Sequence, residues 1–317
     1  MNRRVIKSIL KKKFNQWIET IKDEKVKRAI KDNSIITGGS IVSLLLKEKV
    51  SDYDVYLTNF KTAELVAGYY VTEFNRLHEG KSTPTAVMRI EENRIRINTQ
   101  SGGIAGENTP DSQYQYLDGR PVNEGDEYTL NTISEALGTT DATDAMDGDK
   151  LDAETIEKEP YRPVFLTDNA ITLANQIQIV TRFYGEPEEI HKNYDFVHCT
   201  NYWVAKTETL VLQPSALEAI LAKELVYVGS LYPVCSFIRT RKFIKRGWHI
   251  NAGQMLKICL QISELNLMDL ETLRDQLTGV DTTYFNQVID YLKKRQEEDK
   301  ELQVSVPYLI SIIDKIF

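Results

Sequence analysis

The stretch Ile35–Leu57, I-I-T-G-G-S-I-V-S-L-L-L-K-E-K-V-S-D-Y-D-V-Y-L, constrains this chain more than any other. A β-rich run (Ile35, Ile36, Thr37) breaks into Gly38-Gly39-Ser40. An apolar helical stretch follows, and Asp52-Tyr53-Asp54 then opens a second strand, Val55–Leu57. Residues two apart in a strand point to the same face, so Asp52 and Asp54 aim two carboxylates at one place. Adjacent acids repel unless a cation lies between them. The pair therefore predicts a hard-metal site, Mg²⁺ first and Mn²⁺ as the alternative. The glycine pair lets backbone N–H groups approach an anion, Ser40 adds a hydroxyl, and the helix start supplies the positive end of its dipole. A phosphate cradle beside a metal pair is what metal-assisted phosphoryl or nucleotidyl transfer needs. The competing reading is a glycine turn followed by a solvated acid pair at a strand edge.

The chain has 317 residues, room for two domains with their own cores, and 42% apolar with 27% charged residues argues against general disorder. No apolar run approaches the ~20 residues that cross a bilayer, so no membrane partner is expected. Three widely spaced cysteines (Cys199, Cys235, Cys259) without a C-x-x-C predict reduced thiols and no zinc site. That suits a cytoplasmic setting, the host cytoplasm or a virion if the chain is viral. The net charge of −7 is uneven. Residues 101–160 carry fifteen acids against three bases, which leaves the rest of the chain at +5, and residues 1–31 hold eleven bases against three acids. A basic body with an acidic insertion suits a polyanionic substrate, a nucleotide or nucleic acid.

Residues 1–34 read as a basic helical segment with Val5, Ile6, Ile9, Leu10, Phe14, Trp17, Ile18 and Ile21 at helical spacing. Residues 35–212 alternate strand and helix signals: a helix over 61–77, a hairpin over 85–99, strands at 164–166, 170–173 and 177–183, a short helix at 186–192, and a hairpin over 203–212. Within them, residues 100–160 form an acidic insertion too poor in apolar side chains to order itself. A calcium loop over Asp141–Asp152 fails, because its first and third positions fall on Thr143 and Ala145. Residues 213–317 read as helices over 214–228, 233–246, 252–265, 269–277, 282–295 and 304–317, a compact bundle. The fold class is thus an α/β (α+β) head with a mixed sheet and an all-α C-terminal domain. Tyr194-Asp195-Phe196-Val197 reads as a further strand. An unpaired acid in so apolar a setting is costly, so Asp195 predicts a bound cation or a partner; the competing reading is an Asp that caps a turn or pairs with Arg182. His198 reads as a packed or hydrogen-bonded histidine rather than a catalyst.

G-G-S, eleven residues, then D-Y-D and apolar strand resembles the signature of the DNA polymerase β-type nucleotidyltransferase superfamily. The downstream layout is most similar to the poly(A) polymerase and tRNA nucleotidyltransferase (class II) branch. Asn193–Cys199 stands where that branch has R-R-D-F-T-I-N, Gln213-Pro214 leads the next helix, and Arg239-Thr240-Arg241-Lys242-Phe243 with Gly247 stands at R-A-x-R-F and its glycine. Tyr184-Gly185 and Asn193–Phe196 also resemble divergent bacteriophage members. Departures are the absent arginines before Asp195 and Tyr232–Ser236 in place of the base-reading E-D-x-x-R, which speaks against CCA addition to tRNA. The resemblance implies that Gly38, Gly39 and Ser40 hold the triphosphate of an NTP, with Arg239 and Lys242 contacting triphosphate or acceptor. It implies two Mg²⁺ ions on Asp52, Asp54 and Asp195, with Asp195 on a strand beside the acid pair serving the attacking hydroxyl. The implied activity is transfer of an NMP to an acceptor hydroxyl with release of pyrophosphate. An RNA end is the favoured acceptor, a protein or small molecule the alternatives. Two other classes compete: a non-catalytic, phage-associated structural or binding protein, and a toxin-type transferase modifying tRNA or protein.

Overall fold

The computed structural model describes residues 2–78, 85–91, 94–100, 159–167 and 169–277. Nearly all of the acidic insertion, and the helices expected over 282–295 and 304–317, lie outside these residues.

Side-chain caps start the N-terminal helices. Asn2 accepts from Val5 N–H at the head of α1 (Arg3–Ile18), and Asp23 accepts from Lys25 and Val26 at the head of α2 (Glu24–Asp32). Each cap satisfies donors that lack a partner in the first turn. The stripe Ile6, Leu10, Phe14, Trp17 and Ile18 is buried, as its spacing predicts. After β1 (Ser34–Thr37), α3 (Gly39–Leu46) and β2 (Tyr53–Leu57), Asn59 caps α4 (Phe60–Leu77) in the same way.

The later strands are β3 (Thr85–Glu91), β4 (Arg94–Gln100), β5 (Pro163–Leu166), β6 (Ala170–Leu173) and β7 (Ile177–Tyr184). Past α5 (Pro187–His191) come β8 (Tyr202–Val204) and β9 (Thr209–Val211). Seven strands form one mixed sheet in the order β5-β6-β7-β2-β1-β8-β9; β2 and β7 run parallel and the other pairs antiparallel. The register lays an apolar row straight across it, Trp203–Ile36–Val55–Ile179–Ile171–Leu166, every member buried. The adjacent row is Tyr202–Thr37–Asp54–Gln178–Thr172–Phe165. Successive side chains of a strand alternate faces, so the apolar row packs against α1, α2 and α4 while its neighbour faces the other way.

The hairpin β3–β4 is a separate two-stranded sheet, tied to α4 by Asn75, whose amide donates to Ala86 O (2.8 Å) and accepts from Ala86 N–H (2.7 Å). The helices α6 (Pro214–Ala222), α7 (Pro233–Lys245), α8 (Ala252–Ser263) and α9 (Leu270–Leu277) follow. A second core joins Val42 of α3 to Phe196, Ile220, Leu225, Tyr227, Trp248 and Ile258.

Two local expectations are corrected. The helix from Pro214 stops at Ala222, because Lys223 turns left-handed (φ 51°) and Leu225–Tyr227 leaves the helix for bridging backbone bonds. Residues 194–197 are not a strand of the sheet. Phe196 makes an isolated bridge to Tyr227, and Val197–Cys199 is a 3₁₀ turn. With both sheet edges elsewhere, that segment bonds to backbone leading toward the helices: Val197 N–H donates to Val226 O and Val228 N–H to Asp195 O.

Candidate active site

The polar row of the sheet floors a cavity of about 460 Å³, a size that suits a small-molecule substrate. At one edge β1 ends in Gly38, whose φ of +90° is a left-handed conformation that side chains disfavour. Space forbids a side chain there as well, since a Cβ would stand 3.1 Å from Asp54 Oδ2 and 3.4 Å from the Tyr194 hydroxyl. The N-terminus of α3 therefore meets a carboxylate at close range. Gly38 and Gly39 line the cavity. Ser40 does not line it; its side chain is buried and its hydroxyl has no hydrogen-bond partner among the described residues.

Asp52 and Asp54 come together as the alternation predicts, and the sheet supplies what joins them. Gln178 on β7 stands directly opposite Asp54. With its nitrogen toward the acids, the Gln178 amide donates to Asp52 Oδ2 at 3.1 Å and to Asp54 Oδ1 at 3.0 Å. Turned over, the amide presents its oxygen to the same two carboxylates. Burial, and then the neighbouring Asp52, push the Asp54 carboxyl well above the usual carboxylate range, while Arg239 pulls it the other way. An acid pair held at such a cost, with an amide oxygen within reach, is an all-oxygen donor set. It fits a hard divalent cation.

Asp195 takes a different place from the one expected. It is 7% exposed and lines the same cavity, but Arg239 holds it, donating from Nη1 to Asp195 Oδ2 at 2.7 Å. The strand position beside the acid pair belongs to Gln178, and among the described residues no three His, Cys, Asp or Glu side chains gather. The convergence of three acids is thus not formed. Asp195 has the partner its burial demands in Arg239 rather than in Arg182. Arg239 and Phe243 turn one face of α7 toward the cavity, and Arg246, just past its end, lines it as well. Lys242 is exposed and outside the cavity, because one residue along a helix rotates a side chain by ~100° away from its neighbour. Removing the arginine isolates a buried carboxylate. Since Arg239 is itself 39% exposed, Arg239→Met costs about 1–3 kcal/mol rather than the full penalty of a buried pair. Urea unfolding checks this, and Asp195→Asn in the same background should recover most of the loss.

Aromatic side chains close the remaining wall. Tyr194 faces Tyr56 with ring centroids 6.1 Å apart, and burial, with Tyr56 and Asp54 adding to it, pushes its hydroxyl far up, so it stays protonated. Thr37 Oγ1 donates to Asn201 O (2.9 Å) and lies 2.9 Å from His191 Nε2, so the histidine is the donor in that second bond. Burial lowers His191 to about 4. His198 is packed, as expected, between Phe243 and Trp248, and burial also lowers it to about 4. Gln178, Tyr56 and Tyr194 were not singled out from the sequence. The only sign of Gln178 is a polar residue between two isoleucines, and nothing local says which strand it will stand beside.

Comparison with known proteins gives the family of the chain. A sequence model described as "Gad2: Gabija anti-defense 2 family protein" matches residues 8–223, which include β1, α3, β2, β7 and Asp195. The chain is also similar to "Gabija anti-defense 2" of Bacillus phage SPbetaL7, 22% identical over 133 residues. That alignment covers 42% of this chain and 32% of the phage protein, so the two match over about a third of the relative's length. No solved structure matches the chain. These findings correct the resemblance drawn from the motifs. The family that matches is this anti-defence family, in place of the polymerase β-type superfamily and its poly(A) polymerase and tRNA nucleotidyltransferase branch.

Proposed function

The chain belongs to the Gabija anti-defense 2 family, and from that premise we propose that it is a phage-type anti-defence enzyme, a metal-dependent nucleotidyltransferase. In this reading it moves an NMP from an NTP to an acceptor hydroxyl, releases pyrophosphate, and by that modification counters the Gabija defence. The observation that carries the reading is the pair Asp52–Asp54, bridged by Gln178 beside the glycine-led start of α3.

Asp52 and Asp54 would hold a Mg²⁺ or Mn²⁺ ion, with the Gln178 amide oxygen as a neutral third donor. A cation bound there supplies charge neutralisation at the transferring phosphoryl group. Gly38 and Gly39, lacking side chains, let an anionic ligand reach the N-terminus of α3. Asp195 acts as a positioning residue: its ion pair aims Arg239 into the cavity, where the guanidinium can meet charge that develops during transfer. The Tyr56 and Tyr194 hydroxyls, kept neutral, offer hydrogen bonds without adding charge. An RNA end is the acceptor this reading favours.

The test is transfer of labelled nucleotide, with Mg²⁺, to RNA, to protein and to the enzyme itself. The expected result is transfer by the parent chain and none by the Asp52→Ala, Asp54→Ala double variant. Transfer surviving in the double variant overturns the mechanism.

A further inference from the structure

Three arginines line the cavity, and two of them are matched by carboxylates. Arg239 pairs with Asp195 at 2.7 Å and Arg246 with Glu48 at 2.6 Å. Arg182, on β7, is held differently. Its Nη1 donates to Asn169 Oδ1 at 3.0 Å and its Nη2 to the Tyr232 hydroxyl, and the guanidinium lies over the Tyr232 ring, 4.9 Å from the centroid. The backbone repeats the clamp, since Thr181 and Arg182 N–H both donate to Asn169 O. Among the described residues no carboxylate pairs with Arg182, so its charge is positioned by neutral groups. A guanidinium has five N–H donors, and only two are spent on the clamp. A rigid, uncompensated arginine facing a cavity is an anion seat, and its fork matches a phosphate group.

Its location says which phosphate. In the polar row, Thr37 and the glycine edge lie on one side of Asp54, while Gln178 and Thr172 lie on the other. Arg182 is on that second side, four residues along β7 from Gln178 and on the same face, ~13 Å by strand rise. In-line displacement at a phosphorus puts attacking and leaving groups on opposite sides of it. With the triphosphate at the glycine edge, the acceptor comes from the Arg182 side, and a single nucleotide spans the gap once the arginine's reach is deducted. We propose that Arg182, clamped by Asn169 and Tyr232, is the seat for a phosphate group of the acceptor, which is therefore a phosphate-bearing molecule of the nucleotide class. Only the word acceptor rests on the transfer reading; the anion seat stands on geometry alone.

The experiment titrates the full chain calorimetrically with AMP and with adenosine, in EDTA so that no metal contributes. AMP should bind about tenfold tighter than adenosine or more. Arg182→Met should abolish that preference. Tyr232→Phe, which keeps the ring and drops the hydroxyl, should reduce it by a few fold, and this variant carries the test if Arg182→Met fails to fold. Equal binding of AMP and adenosine by the parent, or an undiminished preference in both variants, overturns the seat. A second arm repeats the AMP titration with Mg²⁺ and a saturating non-hydrolysable ATP analogue. AMP still binding supports an acceptor seat. Its displacement overturns that assignment and gives Arg182 to the phosphates of the NTP. Because the first arm needs neither metal nor turnover, a chain that shows the AMP preference but no transfer would fail the enzymatic reading and keep the seat.

Discussion

Asp54→Asn should abolish nucleotide transfer, by about a thousandfold or ~4 kcal/mol of barrier, and at the same time raise the melting temperature of the metal-free protein. On the proposed reading, loss of activity follows from removing one of the two charged donors to the cation, where the third donor would be only an amide. The gain in stability follows from the same geometry. Asp54 is pushed above its ordinary range by burial and by Asp52, so the folded chain holds that proton more tightly than the unfolded chain does. The sign is then fixed. Below the unfolded carboxylate value both states are protonated and nothing is lost. As pH rises from that value through the raised folded one, the parent loses stability, and above it the full penalty applies. The asparagine variant has no proton to lose and should be flat through that window. Thermal melts in EDTA across the acidic to neutral range check this; a variant that tracks the parent would show that Asp54 carries no such penalty. Saturating Mg²⁺ should narrow the difference by stabilising the parent alone.

Trp203→Ala should destabilise the fold by about 3–5 kcal/mol. Trp203 is 1% exposed, begins the apolar row of the sheet, and meets Phe14 of α1 edge-on at 5.3 Å, so it fastens the N-terminal helix to the strand that borders β1. Truncation leaves a cavity there that backbone pairing on both sides prevents from collapsing. Trp203→Phe should cost far less, about 1 kcal/mol, because the indole N–H has no partner among the described residues and its loss forfeits no bond. Equilibrium urea unfolding measures both. A loss below about 1 kcal/mol for the alanine variant would mean that α1 is not held through this contact.

Legibility from the sequence followed the range over which each signal acts. The helical stripe of α1, the alternation of β2 and the glycine pair are local, and each lies where its pattern placed it. The same alternation put Asp52 and Asp54 on one face. What stayed hidden was registration between distant strands. Gln178 joins the acids only because β7 docks parallel to β2 with Gln178 opposite Asp54, and no local pattern encodes that choice. Asp195 was noticed for the right physical cause, a carboxylate too buried to stand alone. Its partner comes from α7, forty-four residues on, where one helical position separates the cavity-lining Phe243 from the exposed Lys242. The motif resemblance rested on short segments scattered between Gly38 and Gly247, whereas family membership rests on a match along residues 8–223.

The parallel pairing of β2 with β7 also sets when the site can exist. Gln178 lies 126 residues after Asp52, so a chain growing from the ribosome carries its two acids unbridged until more than half of it has been made. Closing so long a loop slows docking, yet each doubling of its length adds only ~0.6 kcal/mol. The acidic segment between them can therefore lengthen or shorten over evolution at little thermodynamic cost. The acid pair gains its bridge only once β7 docks beside β2.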